Sequence, residues 1–292
     1  MPVFEHDTGR LYYLIRGNGA PVVLIHGLGA TAAEWAFQVP ALESRFQVIV
    51  PDLPGCGHSL PRPARYEIPE LARSLWQLLD ALGVGAPNLV GFSLGGAVAL
   101  QMALQRPAAV PRLVLINSLA TYRTDHWIKW LEAHGTALLV RLLGMRRTGR
   151  LVAARLFPLP AQRAMRERCA NVIGSAEPAT YLDMAFALAR WSVVDQLARV
   201  TSRTLVITAQ RDYTPLAEKF ELAAGLRGDI VVVRGSRHGT PFDAIGATNA
   251  SLLAHLCDAP LPGQALHTLD APDEVFTAPP SGSIVEDHAA AL

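Results

Sequence analysis

The stretch Asn88-Leu89-Val90-Gly91-Phe92-Ser93-Leu94-Gly95-Gly96-Ala97-Val98-Ala99-Leu100 decides the fold of this chain. Its apolar start predicts a short buried strand, and the small and aliphatic residues that follow predict a helix that Pro107 ends. The sharp turn between them has a G-x-S-x-G pattern with Ser93 at its tip. The glycines of this turn allow strand and helix to approach closely. The pattern therefore predicts a strained serine whose hydroxyl is exposed above a sheet.

Short apolar runs recur along the chain and alternate with helical patterns. The predicted strands cover residues 11–16, 21–25, 47–50, 88–92, 112–116, 204–208 and 230–233. Some of these runs are apolar throughout, which is typical of strands buried on both faces of a sheet. Strands that alternate with helices predict an α/β fold with a doubly wound, mostly parallel sheet.

The strand pattern is interrupted between residues 120 and 200, where helical patterns dominate. An insertion of this length predicts a helical cap over the carboxyl ends of the strands, where ligands bind in open α/β sheets. The core would then comprise residues 1–119 and 201–257. Residues 258–292 are rich in Pro, Ala, Ser and acidic residues, and their composition predicts a flexible acidic tail.

Composition excludes several classes of function. The formal net charge is only +1, and no basic run interleaved with aromatic residues predicts nucleic-acid binding. No apolar run is long enough to cross a membrane, and the N-terminus lacks a signal-peptide pattern, so we expect a cytoplasmic protein. The three cysteines (56, 169 and 257) match neither a disulfide framework nor a zinc site. We expect no metal and no cofactor.

The predicted cap carries twelve basic residues against six acidic ones. Two arginine clusters stand out, one at Arg146, Arg147 and Arg150 and one at Arg163, Arg166 and Arg168. A solvated helix face is one interpretation of these clusters. The alternative is a site for an acidic substrate, an acidic carrier protein or a lipid surface. The apolar side chains of the cap are expected mainly to pack on the sheet and otherwise to line an acyl pocket.

A nucleophilic serine needs a base to accept its proton and a carboxylate to orient that base. Asp212 follows the predicted strand 204–208, and His238 follows the predicted strand 230–233. Since the carboxyl ends of parallel strands meet at one edge of a sheet, we expect both side chains close to Ser93. Their order along the chain, Ser, Asp and then His, is typical of this architecture.

Taken together, these motifs resemble the α/β-hydrolase superfamily over roughly residues 5–257. The points of resemblance are His26-Gly27, Asp52 through Gly55-x-Gly57-x-Ser59, Gly91-x-Ser93-x-Gly95, Asp212-x-x-Pro215 and His238. The resemblance implies an oxyanion hole formed by the backbone N–H groups of Leu28 and Leu94. It also implies that His26 supports its loop without reacting. Haloalkane dehalogenases and epoxide hydrolases of this superfamily carry an aspartate at the turn, so Ser93 separates the chain from them.

The residues and the resemblance together predict a cofactor-independent serine hydrolase. We expect it to cleave small-molecule carboxylic esters of small or medium apolar acyl groups through an acyl-enzyme on Ser93. Thioester cleavage, hydrolysis of a C–C bond and acyl transfer remain alternatives, because the same three residues serve each reaction. A binding protein on the hydrolase fold is a third class, which usually lacks one member of the triad.

Overall fold

The computed structural model describes residues 2–6, 9–60, 62, 65–123, 127–263 and 268–270. The strands are β1 (Val3–His6), β2 (Gly9–Arg16), β3 (Ala20–Ile25), β4 (Phe46–Pro51), β5 (Asn88–Phe92), β6 (Arg112–Ile116), β7 (Arg203–Ala209), β8 (Asp229–Arg234) and β9 (Thr268–Asp270). Within these ranges they form one nine-stranded sheet in the order β1-β2-β4-β3-β5-β6-β7-β8-β9. The β1–β2 and β2–β4 pairs are antiparallel, and every other pair is parallel. The predicted α/β class and mostly parallel sheet are confirmed.

Helices cover both faces of the sheet. They are α1 (Val39–Leu42), α2 (Ile68–Ala81), α3 (Leu94–Gln105), α4 (Trp127–Leu156), α5 (Arg163–Ser175), α6 (Pro178–Arg190), α7 (Leu216–Gly225), α8 (Thr240–Asp243) and α9 (Ile245–Leu256). In β3, Val23 and Ile25 face a cluster built with α2 and α3, while Val22 and Leu24 face a cluster built with α1 and α9. This alternation explains why the central strands are apolar throughout.

The apolar spacing of the sequence also predicts a helix over residues 34–42 and a last helix from about residue 241 to residue 256, and both are interrupted in the structure. The segment predicted as one helix over residues 34–42 forms a 3-10 turn (Ala32–Trp35) followed by the short helix α1. The segment predicted as the last helix is split into α8 and α9 by Ala244, whose φ of −145° and ψ of 54° are not helical. In both places the apolar spacing continues across the break, so periodicity alone does not reveal it.

Helices α4, α5 and α6 lie between β6 and β7, in the segment for which the sequence predicts a cap, and we call them the cap helices. Helix α4 is kinked at Gly144, where φ is 72° and ψ is 166°. An isolated bridge between Thr121 and Ser192 joins the two ends of the insertion. Within the described ranges, no helix is both long and apolar enough to cross a membrane.

The structure differs from the sequence prediction after residue 257. Asp258 accepts hydrogen bonds from Arg112 and Arg203, and β9 pairs in parallel with β8. The sheet therefore extends beyond the predicted core boundary. A three-residue edge strand has too few residues for a recognisable alternating pattern. The remainder of the predicted tail, residues 271–292, lies outside the described residues.

The close approach of β5 and α3 generates the first prediction. A Cβ atom added at Gly91 would lie 2.2 Å from the carbonyl oxygen of Gly95, a backbone atom that cannot move aside. We expect Gly91→Ala to lower the free energy of unfolding by about 3 kcal/mol, measured by urea denaturation. Gly85→Ala is the matched control, because a Cβ atom there meets nothing within 4 Å. Equal stability of the two variants would contradict this close packing.

Candidate active site

Ser93 occupies the turn between β5 and α3 in a strained backbone conformation. Its φ is 54° and its ψ is −117°, a combination that non-glycine residues rarely adopt. Its N–H donates to the carbonyl oxygen of Ile116 at 2.9 Å, and its own carbonyl oxygen accepts from the Oγ of Ser118 at 2.9 Å. These bonds fix the turn. Ser93 as a whole is only 9% exposed, and it lines a cavity together with Phe157 and Tyr181.

His238 and Asp212 come together with Ser93 at the carboxyl ends of the strands. The Nε2 atom of His238 lies 3.0 Å from the Oγ of Ser93, and its Nδ1 atom lies 2.8 Å from the Oδ1 of Asp212. All three side chains are shielded from solvent. With its Nδ1 proton donated to Asp212, the imidazole presents Nε2 as an acceptor for a proton from Ser93. The geometry suits transfer of that proton.

Asn117 positions the loop that carries His238, a role that was not predicted from the sequence. Its side-chain nitrogen donates to the backbone oxygen of His238 at 2.6 Å and to the Oγ1 of Thr240 at 2.7 Å. Its side-chain oxygen accepts from the N–H of Ala209 at 2.8 Å. One amide thus joins the ends of β6 and β7 to the histidine loop. Asparagine is common in turns because it tolerates their backbone conformation, so its presence after a strand does not indicate this role.

Lys219 is a second residue whose role was not predicted from the sequence. It is fully buried, and its ammonium group donates to the Oδ2 of Asp212, which also accepts from the Oγ1 of Thr214 at 2.9 Å. Burial alone would raise the pKa of Asp212, but His238 and Lys219 together hold that pKa below its usual range. Asp212 is therefore an anion that accepts hydrogen bonds from three side chains, those of His238, Lys219 and Thr214. A lysine in the first turns of a helix normally faces solvent, so nothing in the sequence marks Lys219.

Tyr213 lies beside the imidazole. Its hydroxyl is 3.2 Å from the Nε2 of His238, and the centres of the two rings are 4.3 Å apart. The guanidinium of Arg155, from α4, lies 5.6 Å from the centre of the tyrosine ring. Tyr213 therefore contacts the nitrogen that would exchange a proton with Ser93, and it links this nitrogen to a cap helix.

The loop after β3 contains Leu28, which lines the same cavity as Ser93. His26 is buried, accepts from the N–H of Leu53 at 3.0 Å and lies 2.9 Å from the oxygen of Gly27, so it supports this loop. Leu28 follows in the loop, and Leu94 is the first residue of α3. Among the described residues, neither N–H group donates to a protein acceptor. The backbone N–H groups at both predicted oxyanion-hole positions are therefore available to donate to a ligand.

A small cavity opens at Ser93. Its volume is about 150 Å³, and most of its wall is apolar. The cap helices contribute Val152, Leu156, Met165, Val172, Ile173 and Tyr181, and the core contributes Leu28, Phe92, Tyr213, His238 and Phe242. Two polar side chains that could carry charge, Glu34 and Arg168, also line it. The described part of the chain contains no group of His, Cys, Asp and Glu side chains that could hold a metal ion.

The two arginine clusters of the cap are placed differently. Arg146, Arg147 and Arg150 are exposed, and none of them lines the cavity at Ser93. In the second cluster, Arg163 pairs with Glu167 on the surface, whereas Arg168 reaches the cavity. The sequence groups these arginines by their spacing, but of the six only Arg168 lines the cavity at Ser93.

Comparisons with known proteins identify a family for this chain. A family model described as alpha/beta hydrolase fold matches residues 20–172. The chain is 30% identical over 263 residues to the protein named "Putative carbamate hydrolase RutD" from Stutzerimonas stutzeri, a match that covers 85% of this chain and 97% of that protein. It is 44% identical over 103 residues to the "Magnesium-chelatase 30 kDa subunit" of Rhodobacter capsulatus, which covers 35% of each chain. The first curated relatives are matched over about a third to a half of their length.

The solved structures extend the likeness to the fold as a whole. The enol-lactonase from Burkholderia xenovorans superimposes with a TM-score of 0.80, covering 88% of this chain and 100% of that chain at 23% sequence identity. The family model spans more than half of the sequence, including the serine turn and part of the cap. This chain belongs to the alpha/beta hydrolase fold family.

Proposed function

We propose that this hydrolase cleaves carboxylic esters through an acyl-enzyme on Ser93. The observation that carries the proposal is the continuous hydrogen-bonded arrangement from the Oγ of Ser93 through His238 to Asp212, at 3.0 Å and 2.8 Å. A serine hydroxyl is a weak nucleophile unless a base accepts its proton. Here the base is within reach, and the carboxylate that would stabilise its protonated form is buried with it.

The reaction follows from these positions. The Oγ of Ser93 attacks the ester carbonyl carbon, its proton passes to the Nε2 of His238, and the carbonyl oxygen becomes an oxyanion. When the C–O bond to the alcohol breaks, His238 returns that proton to the leaving oxygen. A water molecule, deprotonated by His238, then attacks the acyl group, and His238 returns this proton to the Oγ of Ser93 as the acid leaves. Asp212 stays ionised and stabilises the imidazolium in both halves of the reaction.

Leu28 and Leu94 would stabilise the oxyanion. Leu94 begins α3, so its N–H lies at the positive end of the helix dipole. Leu28 lies in the loop after β3 and lines the same cavity as Ser93. Preorganised donors of this kind contribute most when charge develops in a site from which water is excluded. The shielded position of Ser93 satisfies that condition.

The cavity favours a small acyl group. An apolar cavity of about 150 Å³ accommodates a ligand of the size of benzene. Longer acyl chains would need the cap helices to move away from the core. The relative from Stutzerimonas stutzeri, whose name cites carbamate hydrolysis, makes a carbamate the second candidate substrate. Ser93 and His238 would act in the same way on an ester and on a carbamate.

The assignment of Ser93 has a direct test. We expect Ser93→Ala to lower kcat/KM for p-nitrophenyl acetate by roughly 10⁵-fold or more, because the members of such a triad act as a unit. Ser175→Ala is the matched control, since Ser175 is exposed at the end of α5 and bonds only to its own helix. Turnover by Ser93→Ala at the rate of the control would refute the proposed nucleophile.

Lys219 generates a prediction about pH dependence. Its ammonium group is one of the partners that hold the pKa of Asp212 below its usual range. Without it Asp212 takes up a proton at higher pH, so we expect Lys219→Met, which keeps the volume of the side chain, to move the acidic limb of the kcat/KM profile to higher pH. The direction follows because a protonated Asp212 no longer stabilises the imidazolium that forms during the reaction.

The control for this experiment is Glu221→Gln, which changes an exposed charge on the same helix. A purely structural role for Lys219 would lower kcat/KM equally at every pH and leave the limb in place. That result would contradict the electrostatic role.

A further inference from the structure

Glu34 and Arg168 line the apolar cavity and have no part in the proposed mechanism. Glu34 lies in the 3-10 turn after β3, and Arg168 lies on the cap helix α5. They line the same cavity as Ser93 but are not within 4.0 Å of each other, so they do not form an ion pair. Placing a carboxyl and a guanidinium in an apolar cavity is costly unless a partner satisfies them.

Glu34 uses one oxygen and leaves the other available. Its Oε2 accepts from the N–H of Gly27 at 2.7 Å, in the loop that carries Leu28. No hydrogen bond to its Oε1 is found among the described residues. Burial raises the pKa of Glu34 to about 8, against the opposing effects of Gly27 and Arg168. Below that pH the side chain is a neutral acid that can donate a hydrogen bond.

Arg168 supplies the positive charge of the cavity wall. One of its N–H groups donates to the backbone oxygen of Ala33 at 2.9 Å, and the guanidinium lies 5.8 Å from the centre of the Phe37 ring. No carboxylate of the described residues lies within 4.0 Å of it. Arginine has five N–H donors. Arg168 therefore has donors to spare, in contrast to Arg163 of the same helix, which pairs with Glu167.

We propose that Arg168 and Glu34 form a carboxylate-binding subsite, and that the substrate is a half ester of a short dicarboxylic acid. This inference rests on the proposed ester hydrolysis and specifies its acyl group. One guanidinium matches the single charge and planar fork of a carboxylate, and the neutral acid of Glu34 can donate to the same group. The apolar wall would hold the methylene carbons between the two ends. A phosphate, with up to two negative charges, would exceed what one guanidinium neutralises.

The test compares p-nitrophenyl hemiglutarate with p-nitrophenyl pentanoate, whose acyl chains have the same number of carbon atoms. We expect the ratio of their kcat/KM values to favour the hemiglutarate in the wild type and to fall about 10- to 100-fold in Arg168→Met. Arg168→Lys should recover part of the ratio, because it restores the charge without the fork. Arg163→Met is the matched control on the same helix and should leave the ratio within about twofold of wild type.

Arg168 also ties a cap helix to the core through Ala33, so the ratio is the informative quantity. If Arg168→Met lowers kcat/KM for both esters by the same factor, Arg168 is only a tether and the subsite does not exist. A preference of the wild type for the pentanoate would also overturn the subsite.

A pH series examines Glu34 independently. The other titratable groups that line the cavity are Arg168 and Cys169 from α5, Tyr181 from α6, and Tyr213 and His238 from the core. As the pH rises past about 8, Glu34 loses its proton and repels the substrate carboxylate, so the wild-type ratio should fall. Glu34→Gln cannot ionise and should keep its ratio constant up to pH 9. An equal fall in both proteins would contradict the role of Glu34.

Equilibrium binding separates this inference from the proposed function. Titration calorimetry of glutarate and of pentanoate on Ser93→Ala protein needs no turnover. Tighter binding of glutarate, lost in the Ser93→Ala, Arg168→Met double variant, supports the subsite even if no ester is cleaved. Ester cleavage without any preference for glutarate over pentanoate overturns the subsite and leaves the proposed hydrolysis intact.

Discussion

The strained backbone at Ser93 is the constraint on which the candidate site depends. A non-glycine residue in this conformation costs about 1–3 kcal/mol, so its surroundings must hold it. They do so with the hydrogen bonds to Ile116 and Ser118 and with the contact between Gly91 and Gly95, where no Cβ fits. As a result, the serine hydroxyl leaves the axis of the strand and meets the imidazole of His238.

Neighbouring strand ends are coupled to this turn by buried polar groups. Asn117 also has a positive φ, of 46°, and its amide joins the histidine loop to β7. On the side of His238 away from Ser93, the imidazole contacts the anionic Asp212, which in turn contacts the cationic Lys219. Such a buried chain favours one protonation pattern, in which Asp212 is ionised and His238 is ready to accept a proton. The backbone thereby sets the positions of the three side chains, and the buried charges keep Asp212 ionised.

The sequence predicts the parts of this arrangement that depend on chain direction alone. Parallel strands bring their carboxyl ends to one edge, so the positions of Ser93, Asp212 and His238 followed from the strand order. Lys219 and Arg168 could not be found in that way, because they lie on helices whose orientation is set by packing. The spacing of the arginines in α5 does not reveal which of them is solvated and which lines a cavity. Glu34 is hidden for a similar reason, since the helix predicted there is a 3-10 turn.

Direct capture of the covalent intermediate tests the central claim most directly. Mixing the protein with p-nitrophenyl acetate, quenching with acid within the first turnover and mapping peptides by mass spectrometry would locate the acyl group. We predict one acetyl group per chain, on the peptide that contains Ser93, accompanied by a burst of one equivalent of p-nitrophenol. An acetyl group on another residue, or steady hydrolysis without any acyl-protein, would contradict the acyl-enzyme mechanism.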